Sequence, residues 1–258
     1  MIRNVFRLLK RKSADAVPAP SAHVPPGEVV YAIGDIHGRA DLLAEVADLI
    51  AADVAASPDL KATTVLLGDY VDRGPASAQV IETLSRRQFP TEIVPLRGNH
   101  EQVMLDFLSD PDVLDQWGSF GAIETIASYG MDARLVTRDS DYSQIRDAFA
   151  LCVPASHVAF LSSLPHFHVI GDYFFCHAGV RPGIPLHLQA EEDLIWIREP
   201  FLNSDERFEK MIVHGHTPQG RAEFLHNRIN IDTRAYQSGR LTCLRLEEGD
   251  ARLLTPAV

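Results

Sequence analysis

The sequence predicts an α/β body in which two β-sheets pack against each other and helices flank them. Three observations carry that expectation. From residue 28 a strand–helix unit repeats three times, residues 110–165 read as mostly helical, and from residue 166 short apolar strands return with little helix between them. The chain has 258 residues, 46% hydrophobic and 23% charged, which is ample for one large domain with a buried core.

Residues 28–33 form the first expected strand. Leu42, Leu43, Val46, Leu49 and Ile50 then share one face of a helix. Residues 64–67 form a second strand, followed by a helix carrying Val80, Ile81 and Leu84. A third strand, 92–96, leads into a helix whose Val103, Met104, Phe107 and Leu108 face the core. Asp35, Asp69 and Asn99 hold equivalent positions in these units, 34 and 30 residues apart, close to one βαβ length. Parallel crossovers are right-handed, so the three strand-end loops should emerge along one sheet edge, where ligand sites lie. Residues 110–165 are expected as a helical insert forming one wall of the site. The strands 166–170, 173–176, 211–213, 228–231 and 241–247 are closely spaced, which suggests antiparallel hairpins in a second sheet.

Residues 1–27 read as a basic, Pro-rich flexible N-terminal tail, with Pro18, Pro20, Pro25 and Pro26 in its linker part. Within it, Ile2, Val5, Phe6, Leu8 and Leu9 interleave with basic residues at roughly helical spacing. Such a segment is expected to be soluble and unstructured; weak contact with an anionic membrane surface or a partner is the alternative. The tail's five basic residues against Asp15 alone give +4, so the remaining 19 basic and 34 acidic side chains give −15. So acidic a body excludes a nucleic-acid partner, and an anionic substrate must be attracted locally. No stretch is long and apolar enough to span a membrane. Cys152, Cys176 and Cys243 form no C-x-x-C pair, which points to a reducing compartment, with the cytoplasm as the expected location.

Five blocks rich in metal-liganding residue types punctuate this frame: Gly34-Asp35-Ile36-His37-Gly38, Gly68-Asp69-Tyr70-Val71-Asp72-Arg73-Gly74, Arg97-Gly98-Asn99-His100-Glu101, His177-Ala178-Gly179 and His214-Gly215-His216-Thr217. Asp35 and His37 are two apart, so in an extended segment both point the same way. Asp69 ends the second strand, where a carboxylate can bridge two cations. The types sort into one metal held by Asp35, His37 and Asp69, and another held by Asp69, Asn99, His177 and His216. Oxygen and nitrogen ligands without thiolate suit Mn²⁺, Fe or Zn²⁺ and do not choose among them; two divalent ions are expected, Mn²⁺ first, with Fe or Zn²⁺ as alternatives. Two such ions clamp a phosphoryl group and lower the pKa of a bridging water. His100, next to Asn99, is the natural general acid, and Asp72 can orient its imidazole. Arg73 and Arg198 can meet phosphate oxygens bidentately; Arg97 either does the same or pairs with a carboxylate.

At these residues the chain resembles the bacterial branch of the phosphoprotein phosphatases, within the calcineurin-like metallophosphoesterases. The resemblance runs through the five blocks in order and through Trp196-Ile197-Arg198-Glu199-Pro200, and it covers nearly everything from Val29 to Leu246. It implies a two-sheet β-sandwich flanked by α-helices, four layers αββα, with residues 28–258 as the catalytic domain. It also implies phosphomonoester hydrolysis by metal-activated water without a phosphoenzyme. The family's ligands fall on Asp35, His37, Asp69, Asn99, His177 and His216, and its acid and orienting carboxylate on His100 and Asp72. Its phosphate-binding arginines fall on Arg73 and Arg198. The expected substrate is phosphoserine or phosphothreonine in a protein, or a small phosphorylated molecule. The rival is a symmetrical dinucleoside tetraphosphate hydrolase on the same scaffold, whose members usually lack a carboxylate at the position of Asp72. Two departures bear on substrate choice. Arg234 follows Asn230-Ile231-Asp232-Thr233 where related chains often carry glycine, and the tyrosine that eukaryotic members place over the metals has no clear counterpart, Tyr236 being the one candidate. Asp232 itself reads as a strand-end residue.

Overall fold

The computed structural model describes residues 22–137 and 140–255. In order these form β1 (Glu28–Ile33), α1 (Ala40–Ala56), β2 (Lys61–Leu66), α2 (Ser77–Ser85), β3 (Glu92–Pro95), α3 (Asn99–Ser109), α4 (Leu114–Gly118), α5 (Ala122–Ser128), α6 (Tyr142–Cys152) and α7 (Ala155–Ser162). There follow β4 (Phe167–Ile170), β5 (Tyr173–Cys176), α8 (Glu191–Trp196), α9 (Glu199–Leu202), β6 (Met211–His214), β7 (Glu223–Phe224), β8 (Arg228–Asn230), α10 (Ala235–Ser238), β9 (Cys243–Glu247) and β10 (Asp250–Leu253).

Two five-stranded sheets result, ordered β10-β9-β1-β2-β3 and β4-β5-β6-β8-β7. β1 shows how the sequence builds layers. Val30 and Ala32 point into an apolar layer shared with Val65, Phe175, Val213 and Ile229, between the sheets. Val29, Tyr31 and Ile33 point the other way, against Leu43, Val46 and Ile50 of α1. With alternate residues buried on opposite faces, a strand must be covered on both sides. The outer face of the second sheet packs Phe174, Cys176 and Ile212 on Leu194 and Phe201 of α8 and α9. The four-layer sandwich is therefore the architecture.

The second sheet corrects the antiparallel expectation. β5, β6 and β8 run parallel to one another, and only the flanking pairs β4–β5 and β7–β8 are antiparallel. The stretch between β5 and β6 contains α8 and α9, enough chain for a crossover that strand spacing alone hides. β9 also changes sheet, pairing antiparallel with β1, and the sequence reading passed over β7 and β10.

Residues 22–27, counted with the linker from their prolines, are tied to the body. Val24 is buried, its N–H bonds Glu248 O at 3.0 Å, and Tyr173 Oη donates to Ala22 O. The basic amphipathic stretch lies outside the described residues. No helix among the described residues is long and apolar enough to cross a membrane.

Candidate metal centre

The site forms where the carboxyl ends of the two parallel strand sets meet. Asp35 follows β1, Asp69 β2, Asn99 β3, His177 β5, His216 β6 and Asp232 β8, and all six are buried. Asp35 and His37 do not converge by strand alternation as their spacing suggests. His37 lies in the left-handed region at φ 46°, so a turn brings its ring inward. Of the eight non-glycine residues with positive φ among those described, His37, Asp69, Asp72, Arg73, His216 and Arg234 lie at or beside this cluster. Asp and His tolerate this conformation better than most types, yet each such residue costs on the order of 1 kcal/mol or more. Strain concentrated here is strain retained for geometry.

Glycine serves the same end by close approach. A Cβ on Gly98 would strike Asp69, and one on Gly215 would strike Asp35 Oδ1. Gly98 also begins α3, and the Glu101 carboxylate reaches back over that end. It accepts N–H groups from Gly98 (2.9 Å), Asp69 (2.8 Å), Tyr70 (2.7 Å) and Val71 (3.3 Å). Glu101 was read only as part of its block, and it proves to be the clamp on the Asp69 loop. Burial pushes its carboxyl up to about 7, against those four bonds. Glu101→Ala would leave these donors without their acceptor, so a loss of about 3 kcal/mol or more in unfolding free energy is expected by denaturant titration. A loss below about 1 kcal/mol would show that the loop holds itself.

Among the described residues two side-chain groups could hold metal, and they share Asp69: His37, Asp69 and His100, and Asp69, His177 and His216. His37 Nε2 is 3.6 Å from Asp69 Oδ2, and His177 Nε2 is 3.3 Å from Asp69 Oδ1. His177 Nδ1 donates to Leu67 O at 3.0 Å and His37 Nδ1 to Val71 O at 2.9 Å, which leaves both Nε2 atoms as lone pairs. Asn99 Oδ1, His177 Nε2 and His216 Nδ1 meet within 2.9–3.2 Å of one another. A single His216 proton can bridge only part of that triangle, so the donor set fits a cation.

The electrostatics agree with that fit. Burial, then Asp232 and Asp69, holds the Asp35 carboxyl well above its usual range; burial, then Glu101, does the same at Asp69. Burial pushes His177 down to about 3 and lowers His216 further, with Arg198 acting on both. Neutral imidazoles are the form that divalent ions bind, and a cation would supply the charge that lets these crowded carboxyls ionise. Asp35 lies outside both groups; its carboxylate accepts the His216 N–H (3.1 Å), and, after burial, the nearby Asp232 carboxylate raises its pKa. Asp232 is thus a site carboxylate that sequence reading missed. The signal was available, since it ends a strand as Asp35 and Asp69 do, but that strand's parallel pairing was not.

His100 and Asp72 form a buried pair, Nδ1 to Oδ2 at 2.6 Å. The insert reaches in to hold it: Trp117 Nε1 donates to Asp72 Oδ2 (3.0 Å) and Thr125 Oγ1 to Asp72 Oδ1 (2.7 Å). Trp117 is a packing anchor and a donor at once. Burial pushes Asp72 up to about 7, while burial and Arg73 lower His100. The Arg73 guanidinium is the positive charge that the first group meets, 3.1 Å from His37 Nε2 and 3.3 Å from His100 Nε2, with the Tyr236 ring 4.9 Å away. Tyr236 also lies edge-on to His37 at 5.4 Å. Arg198 is exposed on the His177–His216 side. Arg97 is not brought to the cluster: it donates to Gln102 Oε1 and to the carbonyls of Leu161 and Ser162. His214 is buried against Phe201, 5.0 Å between ring centroids, and Nε2 has no partner.

Over 237 residues the chain is 24% identical to the "Bis(5'-nucleosyl)-tetraphosphatase PrpE [asymmetrical]" of Anoxybacillus flavithermus, covering 84% of this chain and 89% of the relative. A solved structure described as a putative diadenosine tetraphosphatase superposes with TM-score 0.60 at 21% identity, covering 90% of this chain and 97% of the other. The cold-active protein-tyrosine phosphatase of a psychrophilic Shewanella superposes with TM-score 0.54 at 19% identity, over 92% and 82% of the two chains. At these identities the structural likeness shows the fold. Residues 29–248 match the calcineurin-like phosphoesterase family along nearly the whole described body, and the chain belongs to that family of metal-dependent phosphoester hydrolases.

Proposed function

We propose that this chain is a dinuclear, Mn²⁺-dependent phosphoprotein phosphatase that hydrolyses phosphate monoesters of protein side chains, phosphoserine and phosphothreonine among them. The observation that carries this reading is the His100–Asp72 pair with its Trp117 and Thr125 support. An alcohol or phenol leaves poorly without a proton, since even tyrosine has a pKa near 10 and alkyl alcohols lie higher. The phosphate leaving group of a polyphosphate needs no such help. A buried, oriented imidazole is useful for the first kind of ester.

Two divalent ions held by Asp35, His37, Asp69, Asn99, His177 and His216 would supply Lewis-acid charge and a water nucleophile at neutral pH. The chain's own residues do the rest. Arg73 and Arg198 bind the phosphoryl oxygens. As Arg73 turns to the substrate it leaves His100 Nε2, and the arriving phosphate dianion adds negative charge. Both changes favour a proton on Nε2, which passes to the leaving oxygen while Asp72 steadies the imidazolium. The ligand residues and the His100–Asp72 pair are buried, so charges among them act at low dielectric.

The name carried by the curated relatives supports a second reading, hydrolysis of a dinucleoside tetraphosphate. Matched phosphopeptides and diadenosine tetraphosphate, assayed on Mn²⁺-reconstituted protein with metal content measured, separate the two. The phosphopeptides are expected to show the higher kcat/KM; efficient tetraphosphate cleavage without action on phosphopeptides overturns the proposal.

A further inference from the structure

Phe120 stands beside the acid, outside every group used so far. Its ring centroid is 5.3 Å from His100 and 5.9 Å from Trp196, and Trp196 lies edge-on 6.2 Å from His216. Four rings thus form an arc from the proposed acid to a proposed metal ligand. Phe120 and Trp196 are half-buried, so each keeps ring surface available. The turn carrying Phe120 is locked to the Asp72–Arg73 loop: Arg73 N–H bonds Gly121 O at 3.1 Å, and Gly121, at φ 97°, sits where a Cβ would meet the Arg73 backbone.

We propose that Phe120, with Trp196, forms a leaving-group subsite that selects aryl phosphate monoesters, phosphotyrosine being the form such an ester takes in a protein. The inference rests on the phosphomonoesterase reading above. His100 gives its proton to the leaving oxygen, so whatever bears that oxygen lies beside His100. In an aryl ester the ring sits directly on that oxygen, and Phe120 is the first wall it meets. Phosphothreonine puts a small aliphatic carbon there, which gains little from a ring face. A nucleobase is held away from the reacting phosphorus by its ribose and extends past the arc. In the reaction, water oxygen bonds to phosphorus and the bond from phosphorus to the tyrosine oxygen breaks. That oxygen takes the His100 proton, the water's proton replaces it, and the products are tyrosine and inorganic phosphate. Aromatic pairing contributes about three- to tenfold in affinity.

Competitive inhibition of the Mn²⁺ holoenzyme by benzylphosphonate and by ethylphosphonate reads ring recognition without any leaving group. The wild type is expected to bind the benzyl compound about tenfold more tightly. Phe120→Leu should reduce that ratio about three- to tenfold, Phe120→Tyr should preserve it, and the KM ratio of phosphothreonine to phosphotyrosine peptides should move in parallel. A wild-type ratio near one overturns the subsite whether or not the variants fold. A ratio that Phe120→Leu leaves unchanged, or a loss confined to diadenosine tetraphosphate, also overturns it while phosphopeptide turnover keeps the phosphatase reading. No turnover of any phosphopeptide overturns both.

Discussion

Asp69→Asn is expected to remove at least one metal ion and to lower kcat/KM by roughly a thousandfold or more, since metal ions supply several kcal/mol of transition-state stabilisation. Asp69 is the only residue common to the two groups that could hold metal, with one carboxylate oxygen toward His37 and the other toward His177. An amide offers one neutral oxygen in place of two that share a charge. The substitution is well chosen for the backbone, because Asp69 has φ 51° and asparagine accepts that region readily. A second readout has the opposite sign. Burial and Glu101 disfavour the Asp69 anion, so the metal-free variant should melt no lower than the metal-free wild type. The melting gain on adding Mn²⁺, large in the wild type through linkage, should shrink in the variant. Elemental analysis with a pair of melting curves checks all three, and full metal content in the variant would remove Asp69 from its bridging place.

His100→Asn is expected to slow poor leaving groups by about a hundred- to ten-thousandfold and good ones much less, the signature of lost general-acid catalysis. The imidazole hangs from the start of α3 with Nδ1 fixed on Asp72, so Nε2 is the only nitrogen able to deliver a proton. Metal should persist at least on the Asp69–Asn99–His177–His216 side, which does not depend on this ring. A series of aryl phosphates spanning leaving-group pKa, assayed at one pH, measures the slope. Equal slowing across the series would mean that His100 positions groups rather than donating a proton.

The likeness to known proteins narrows the chemistry more than the target. Membership of the family fixes phosphoester hydrolysis. The target depends on what surrounds the cluster, and here the rings of Phe120, Trp196 and Tyr236 stand against His100, His216 and His37. Arg234 keeps a left-handed conformation, φ 58°, with its N–H on Asp232 Oδ1. Its side chain is exposed, and its charge helps to lower the Asp232 carboxyl against burial.

By itself the sequence determined the three βα units, their strand-end residues and the helical insert. Those are local properties: apolar periodicity, β-branched runs, and carboxylate, amide or imidazole at each strand end. The tertiary structure alone decided the rest. Parallel pairing of β5, β6 and β8 brings His177, His216 and Asp232 to the edge already occupied by Asp35, Asp69 and Asn99. Pairing partners lie far apart in sequence, and strand patterns do not carry their direction. The same holds for Glu101 over the Asp69 loop, Trp117 and Thr125 on Asp72, and Arg97 turned away to α7. Each is a hydrogen bond satisfied across a long loop, chosen by the geometry of burial rather than by any spacing in the chain.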